Sequence, residues 1–125
     1  MNKRILSILV ENTAGVLSRV SGLFSRRGYN IDSLSAGITT DPNYTRMTVV
    51  CKGDELILEQ ITRQVEKLED VLSVKVLQDG QSVTRELMLV KVKVTPEQRA
   101  GVSAIVDIFR ANIIDVGKES MIIEL

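Results

Sequence analysis

The sequence RILSILVENTAGVLSRVSGLFSRRGYNIDSL, residues 4–34, carries two hydrophobic patterns one after the other. Residues 4–10 are a short apolar run rich in β-branched side chains, which predicts a buried strand. From Gly15 the apolar residues follow helical spacing, and Gly28 after two arginines predicts the end of that helix. The side chains expected to face the core are Leu17, Val20, Leu23 and Phe24.

The residues that follow continue this alternation. Residues 31–39 and 46–51 are predicted strands, and the turn at 41–43 (DPN) makes them a hairpin. An amphipathic helix comes next, with its apolar face formed by Leu58, Ile61, Val65 and Leu68. Residues 72–76 alternate apolar and polar and predict a fourth strand. The order βαββαβ predicts an α+β, ferredoxin-like fold for residues 1–77.

A second, incomplete copy of this unit is predicted after a polar linker at residues 78–85 (QDGQSVTR). An offset of about 85 residues aligns apolar residues of the two copies. The pairs are Leu17 with Val102, Val20 with Ile105, Leu23 with Ile108, Phe24 with Phe109 and Ile31 with Val116. Residues 86–125 would then supply a strand (86–94), a helix and a hairpin (113–125), but no second helix or fourth strand. We therefore expect a truncated βαβ(β) unit whose apolar faces lack cover.

Composition excludes several classes of function. The 125 residues carry 16 Lys and Arg against 16 Asp and Glu, so the balanced charge argues against binding to nucleic acid or an anionic membrane. The absence of His removes the commonest general base and metal ligand, and the single cysteine, Cys51, is expected to be a buried, inert thiol. No segment has the ~18 apolar residues of a membrane span. We expect a cytoplasmic chain with no metal or catalytic site.

The loop ENTAG at residues 11–15 is the strongest candidate site. Amide groups at the start of a helix bind carboxylates, and Gly15 would let a ligand approach the main chain. Asn12 offers a donor and an acceptor without net charge, which suits a zwitterion. The alternative is structural: Asn12 or Thr13 caps the helix, and Gly15 eases the turn.

A second polar position is Asn30, where the strand beginning at Ile31 is expected to lie at the edge of the sheet. Unpaired strand edges favour pairing with another copy of the chain. In such a dimer Asn30 of one chain could face the loop of residues 12–15 in the other. Alternatively, Asn30 is only a tolerant residue in a turn after a helix.

Three stretches resemble the regulatory (small) subunit family of acetolactate synthase, also called acetohydroxyacid synthase. They are residues 4–34, RELMLVKV at 85–92 and FRANIIDV at 109–116, and the resemblance extends across the whole chain in order. It implies an ACT domain, the βαββαβ amino-acid sensor, followed by a second ACT-like unit. Family members have no active site. They bind and activate the large (catalytic) subunit, and they confer feedback inhibition by valine in branched-chain amino acid biosynthesis.

The resemblance also implies cofactors, an oligomer and a site. Thiamine diphosphate, Mg²⁺ and FAD are expected on the catalytic partner, and none on this chain. The chain is expected to form a homodimer through its ACT domains, with the effector between them. The residues carried over are Asn12, Gly15, Val16 and Leu17 from one chain with Asn30 and Ile31 from the other. Two alternatives remain: an ACT sensor that serves a different biosynthetic enzyme, and a stand-alone ferredoxin-like enzyme.

Overall fold

A computed structural model describes residues 2–125, which divide into two compact units, one up to Val83 and one from Thr84 to Leu125. The first unit has the element order βαββαβ that the sequence predicts, and its fold is of the predicted α+β class. Its elements are β1 (Asn2–Glu11), α1 (Val16–Arg27), β2 (Ile31–Ile38), β3 (Tyr44–Gly53), α2 (Glu55–Glu66) and β4 (Val71–Leu77). The strands form one antiparallel sheet in the order β2-β3-β1-β4. β2 is therefore at an edge, as predicted.

The core of the first unit lies between the two helices and one face of this sheet. Alternate residues of the central strands β1 and β3 point into it, as the period of two in a strand requires. The buried set comprises Leu6, Ile8, Val10, Val16, Val20, Leu23, Phe24, Met47, Val49, Cys51, Leu58, Ile61 and Val65. Full burial of such a side chain stabilises the fold by about 1.5–3 kcal/mol. Cys51 is a free thiol whose pKa is raised by burial, as expected of an inert core residue.

The ends of both helices follow from single residues. Gly28, with φ +69°, ends α1, and the amide of Tyr29 then donates to the carbonyl of Phe24 at 2.9 Å. The Asp54 carboxylate begins α2 by accepting a hydrogen bond from the amide of Ile57 at 2.8 Å. These ends fix where the chain enters β2 and where it leaves β3.

The second unit is the predicted strand, helix and hairpin, with shorter elements. They are β5 (Leu89–Lys93), a 3₁₀ turn (Pro96–Gln98), α3 (Arg99–Ile108), β6 (Asn112–Val116) and β7 (Ser120–Glu124). The antiparallel sheet has the order β5-β7-β6. Its fully buried apolar residues are Val94, Val106 and Met121. The predicted strand at 86–94 corresponds to β5, which is shorter in the structure.

The predicted alignment of the two units is wrong at the helix. The amide of Ala111 donates to the carbonyl of Val106 at 3.0 Å, as Tyr29 does to Phe24, so Val106 is the counterpart of Phe24. Phe109 lies beyond the last residue of α3 and is 72% exposed. The helix residues of the second unit therefore lie three residues earlier than an offset of 85 predicts.

The next strand shows the same correction. A register irregularity follows Ile31 in β2 and Ile113 in β6, so Ile113, not Val116, corresponds to Ile31. The size of the offset explains the difference, since the strand end precedes the corresponding helix residue by the same distance in both units, Glu11 before Phe24 and Lys93 before Val106.

Candidate functional site

The loop of residues 12–15 joins the end of β1 to the start of α1. Gly15 is the residue before the helix, with φ +82° and ψ 0°, a left-handed conformation that glycine adopts without strain. No side chain caps this helix, so the interpretation of Asn12 or Thr13 as a cap is wrong. Gly15 therefore supplies the turn before α1, and it is exposed in the structure.

Asn12 is held by the β2–β3 hairpin. Its Nδ2 donates to the carbonyl of Pro42 at 2.8 Å, and its Oδ1 accepts from the hydroxyl of Thr45 at 3.1 Å. Its backbone amide donates to the carbonyl of Asn43 at 2.8 Å. A primary amide has two donor hydrogens and two acceptor lone pairs, so Asn12 keeps one of each for another partner.

The first turn of α1 presents unpaired amides. The amide of Val16 donates to the carbonyl of Thr13 at 3.3 Å, whereas those of Leu17 and Ser18 have no acceptor among residues 2–125. The side chain of Val16 is buried, but that of Leu17 is 47% exposed, so the prediction that Leu17 faces the core is wrong. This helix start carries free N–H groups beside an exposed aliphatic side chain, which together match an amino acid with an aliphatic side chain.

An ion pair beside the loop was not predicted from the sequence. The guanidinium of Arg19 binds the carboxylate of Asp70 through two nitrogens, with Nη2 to Oδ1 at 3.1 Å. The hydrogen bond from Arg19 lowers the pKa of the Asp70 carboxyl group, and the same bond raises the pKa of Arg19. No local pattern joins residues this far apart in sequence, so the sequence held no signal for this pair.

The other candidate residues lie at the opposite end of α1. Asn30 is exposed and Ile31 is half-buried, and both follow Gly28 at the entry to β2. Because α1 has 12 residues, the two groups are separated along the helix axis by roughly 18 Å. A single chain therefore brings Asn12, Gly15, Val16 and Leu17 together but does not bring Asn30 and Ile31 to them.

The second unit has no equivalent of this loop. Its strand–helix connection contains the 3₁₀ turn and is closed, because Oε1 of Gln98 accepts a hydrogen bond from the amide of Thr95 at 3.0 Å. The unit has instead an apolar groove of about 320 Å³, lined by Val90, Ile105, Val106, Phe109, Ala111, Ile123 and Leu125. A groove lined only by apolar side chains has no group to bind the charged ends of an amino acid.

Two further observations concern the residues that the structure describes. In residues 2–125 no three Asp, Glu or Cys side chains are grouped so that they could hold a metal ion. No helix in the same range is long and apolar enough to cross a membrane.

Comparison with protein families gives a match to each unit. Residues 6–73 match the model described as "AHAS small subunit-like ACT domain", and residues 85–125 match "Small subunit of acetolactate synthase". The first unit is therefore an ACT domain, as the resemblance to the small-subunit family implied.

Individual relatives are similar in sequence to this chain over nearly its whole length. The chain is 54% identical over 114 residues to the acetolactate synthase isozyme 3 small subunit of Salmonella typhimurium, covering 91% of this chain and 70% of that protein. It is 50% identical over 119 residues to the acetolactate synthase small subunit of Mycobacterium avium, covering 95% and 71%. A crystal structure of the acetolactate synthase small subunit from Thermotoga maritima matches with a TM-score of 0.90 and 38% identity, covering 100% of this chain and 78% of that one. The chain belongs to the acetolactate synthase small-subunit family.

Proposed function

We propose that this chain is a regulatory, non-catalytic subunit that binds the large (catalytic) subunit of an acetolactate synthase, raises its activity and makes it sensitive to valine. The observation that carries the proposal is the match of the whole chain, both units included, to a solved acetolactate synthase small subunit. Thiamine diphosphate, Mg²⁺ and FAD would belong to the catalytic partner. The role of this chain would be to sense an end product and to transmit its presence.

The loop of residues 12–15 supports an effector site. The carboxylate of valine would accept hydrogen bonds from the amides of Leu17 and Ser18, which have no acceptor in residues 2–125. The helix dipole favours a negative charge at this end of α1. The free lone pair of Asn12 Oδ1 would accept a hydrogen bond from the ammonium group.

A second copy of the chain would complete the site. Because one chain leaves Asn30 and Ile31 at the far end of α1, they can meet the loop only from a partner. The free edge of β2 offers a route to that dimer, since an exposed edge pairs readily with another strand. Ile31 and Leu17 would then cover the isopropyl group of valine from the two sides.

The energetics fit a small regulatory ligand. Burial of the isopropyl group would contribute about 2 kcal/mol. Isoleucine and leucine differ from valine by one methylene, which is worth only about 1–3 kcal/mol, so they are expected to bind with related affinities. A coupling of about 1–3 kcal/mol between this site and the bound catalytic subunit would be enough for feedback control.

Reconstitution tests the proposal. The purified chain is mixed with the cofactor-loaded large subunit of the same organism, and acetolactate formation is followed while valine is titrated. The expected result is a higher rate with the small subunit present and a loss of that rate as valine is added. No complex and no change in rate would contradict the regulatory role, and a rate indifferent to valine, isoleucine and leucine would contradict the effector site.

A further inference from the structure

Asp70 lies just before β4, remote in sequence from the loop of residues 12–15 but attached to both sides of it. Its backbone carbonyl accepts a hydrogen bond from the amide of Glu11 at 2.9 Å, where the chain enters the loop. Its carboxylate takes two hydrogen bonds from Arg19, on the helix that leaves the loop. The two ends of the loop are thus tied to one residue.

Arg19 extends this connection into the loop. Its Nη2 lies 3.3 Å from the carbonyl oxygen of Ala14 and 3.4 Å from the hydroxyl of Thr13, within hydrogen-bond distance of both. Its Nη1 would be 3.0 Å from a Cβ placed on Gly15. The guanidinium therefore contacts three consecutive loop residues while Asp70 fixes its orientation.

We propose that Asp70 is a positioning residue of the effector site, which holds the Arg19 guanidinium so that residues 13–15 present the first amides of α1 to the ligand. This inference rests on the proposed function. A bidentate arginine–carboxylate pair fixes the guanidinium plane as well as its charge, and a single lysine charge cannot replace it. Loss of either partner would release the loop without removing a core side chain.

The exposure of the pair separates positioning from general stability. The Arg19 side chain is 48% exposed and that of Asp70 is 20% exposed, and such pairs contribute little to the free energy of unfolding. A change in the loop, by contrast, moves the amides that would bind the carboxylate. Variants of this pair are therefore expected to lose affinity with only a small decrease in melting temperature.

Calorimetric titration of the full chain with valine tests the inference. Asp70→Asn keeps the shape of the side chain and removes its charge, and Arg19→Lys keeps the charge and removes the planar fork. Each is expected to weaken valine binding by between about three-fold and thirty-fold. The double variant is expected to lose no more than the stronger single variant, because the two residues act as one unit. Hydrogen exchange at the amides of Val16 and residue 19, which donate to the carbonyls of Thr13 and Gly15, is expected to quicken in the free variants.

Glu55→Gln is the matched control. It removes the carboxylate of another ion pair of the same unit, Arg4–Glu55 at 2.7 Å, which has no contact with the loop. Valine affinity is expected to equal that of the wild type. Thermal melting of every variant without ligand shows whether a loss of binding is caused by unfolding. If Asp70→Asn is unfolded at the temperature of the titration, Arg19→Lys gives the same comparison.

The outcomes distinguish this inference from the proposed function. Unchanged affinity in Asp70→Asn and Arg19→Lys overturns the positioning role alone, provided that the wild type binds valine. Tighter binding in Asp70→Asn also overturns it, since Asp70 would then compete with the ligand carboxylate for a directly binding Arg19. Failure of the wild type to bind valine, isoleucine or leucine removes the effector site itself and this role with it.

Discussion

The guanidinium of Arg19 lies directly over Gly15, so that a Cβ on this glycine would be 3.0 Å from Nη1. The contact is with the end of a side chain and not with the backbone. The backbone of Gly15 is the stricter constraint, because its φ of +82° is a left-handed conformation that other residues adopt at a cost of about 1–2 kcal/mol. Position 15 therefore joins two features, the left-handed turn before α1 and the close approach of the Arg19 guanidinium.

We predict that Gly15→Asp abolishes valine binding while the fold persists. The new carboxylate would occupy the space in front of the amides of Leu17 and Ser18 and would repel the carboxylate of the ligand. The added strain is small compared with the stabilisation from the thirteen-residue core of the first unit. Calorimetry measures the affinity, and circular dichroism with thermal melting measures the fold.

Gly80→Asp is the control for this substitution. Gly80 has nearly the same backbone, with φ +81°, and no heavy atom lies within 4 Å of a Cβ placed there. It introduces the same strain and the same charge outside the candidate site, so valine binding is expected to be retained. Unchanged valine affinity in Gly15→Asp would exclude this loop as the carboxylate site.

Acid pH is predicted to weaken the contribution of Asp70 to the stability of the fold. The hydrogen bond from Arg19 lowers its pKa below the ordinary value of 3.8, so the folded chain keeps this carboxylate ionised where the unfolded chain begins to protonate it. The stabilisation is therefore fully present above about pH 4 and is lost as the pH falls through the lowered pKa of the folded state. Urea midpoints measured between about pH 2 and pH 7 are expected to differ between wild type and Asp70→Asn at neutral pH and to converge at the acid end.

Asp79→Asn provides the comparison for this titration. Asp79 forms no ion pair with any residue of the described range 2–125, so its replacement is expected to follow the wild type at every pH. A difference between Asp70→Asn and wild type that persists undiminished at about pH 2 would show that the lost stability does not come from the ionised carboxylate.

The edge of β2 gives a prediction about the dimer. In a two-fold antiparallel pairing centred on β2, residues near the middle of the strand lie close to their own copies, and Leu34 is near the middle of Ile31–Ile38, so a new charge there would approach an identical charge. Leu34→Lys on β2 is expected to shift the chain toward monomer and to weaken valine binding with it. The same change on the other edge, Leu72→Lys on β4, uses a leucine of similar exposure and is expected to leave the dimer intact. Analytical ultracentrifugation of both variants decides between the edges, and an undisturbed dimer in Leu34→Lys excludes β2.

The first unit could be predicted well because its signals are local. The strand and helix periods identify the core faces, and Gly28 fixes the end of α1. The contacts that hold the candidate loop in place could not be predicted in this way. Asn12 is held by Pro42 and Thr45, which are 30 and 33 residues away, and Arg19 by Asp70, 51 residues away. Such contacts depend on how the hairpin and β4 meet the loop in three dimensions.

The alignment of the second unit failed for a specific reason. One offset relates the strand end and the helix of both units, but it is three residues smaller than 85, since Glu11 precedes Phe24 by as many residues as Lys93 precedes Val106. The coincidence of two phenylalanines then favoured the wrong register, with Phe109 in the position of Phe24. In the structure the left-handed residue that ends the helix region is Arg110, with φ +55°, where the first unit has Gly28. Because this residue is not glycine, the sequence of the second unit lacks the signal that marks the end of α1 in the first unit.

Hydrogen exchange is predicted to differ between the two units. Residues 86–125 bury fewer apolar side chains than residues 1–77, and Ile105 and Ile108 of α3 are 56% and 76% exposed. Amides in segments with little apolar burial exchange through low-energy openings. Exchange followed by mass spectrometry is expected to show faster uptake in α3 and β6 than in α1 and β3. Equal protection of both units would mean that the apolar face of α3 is covered in solution.

Two substitutions in α3 test the corrected alignment. Val106→Ala removes two buried methyl groups and is expected to destabilise the second unit by about 1–2 kcal/mol. Phe109→Ala removes a larger side chain that is 72% exposed and is expected to change stability by less than about 0.5 kcal/mol. The exchange rates of β7 amides in each variant report the stability of this unit, since Met121 of β7 is buried in the same small core. If Phe109 were the counterpart of Phe24, as an offset of 85 residues requires, Phe109→Ala would be the more damaging change, and the order of the two effects therefore decides which residue fills that position.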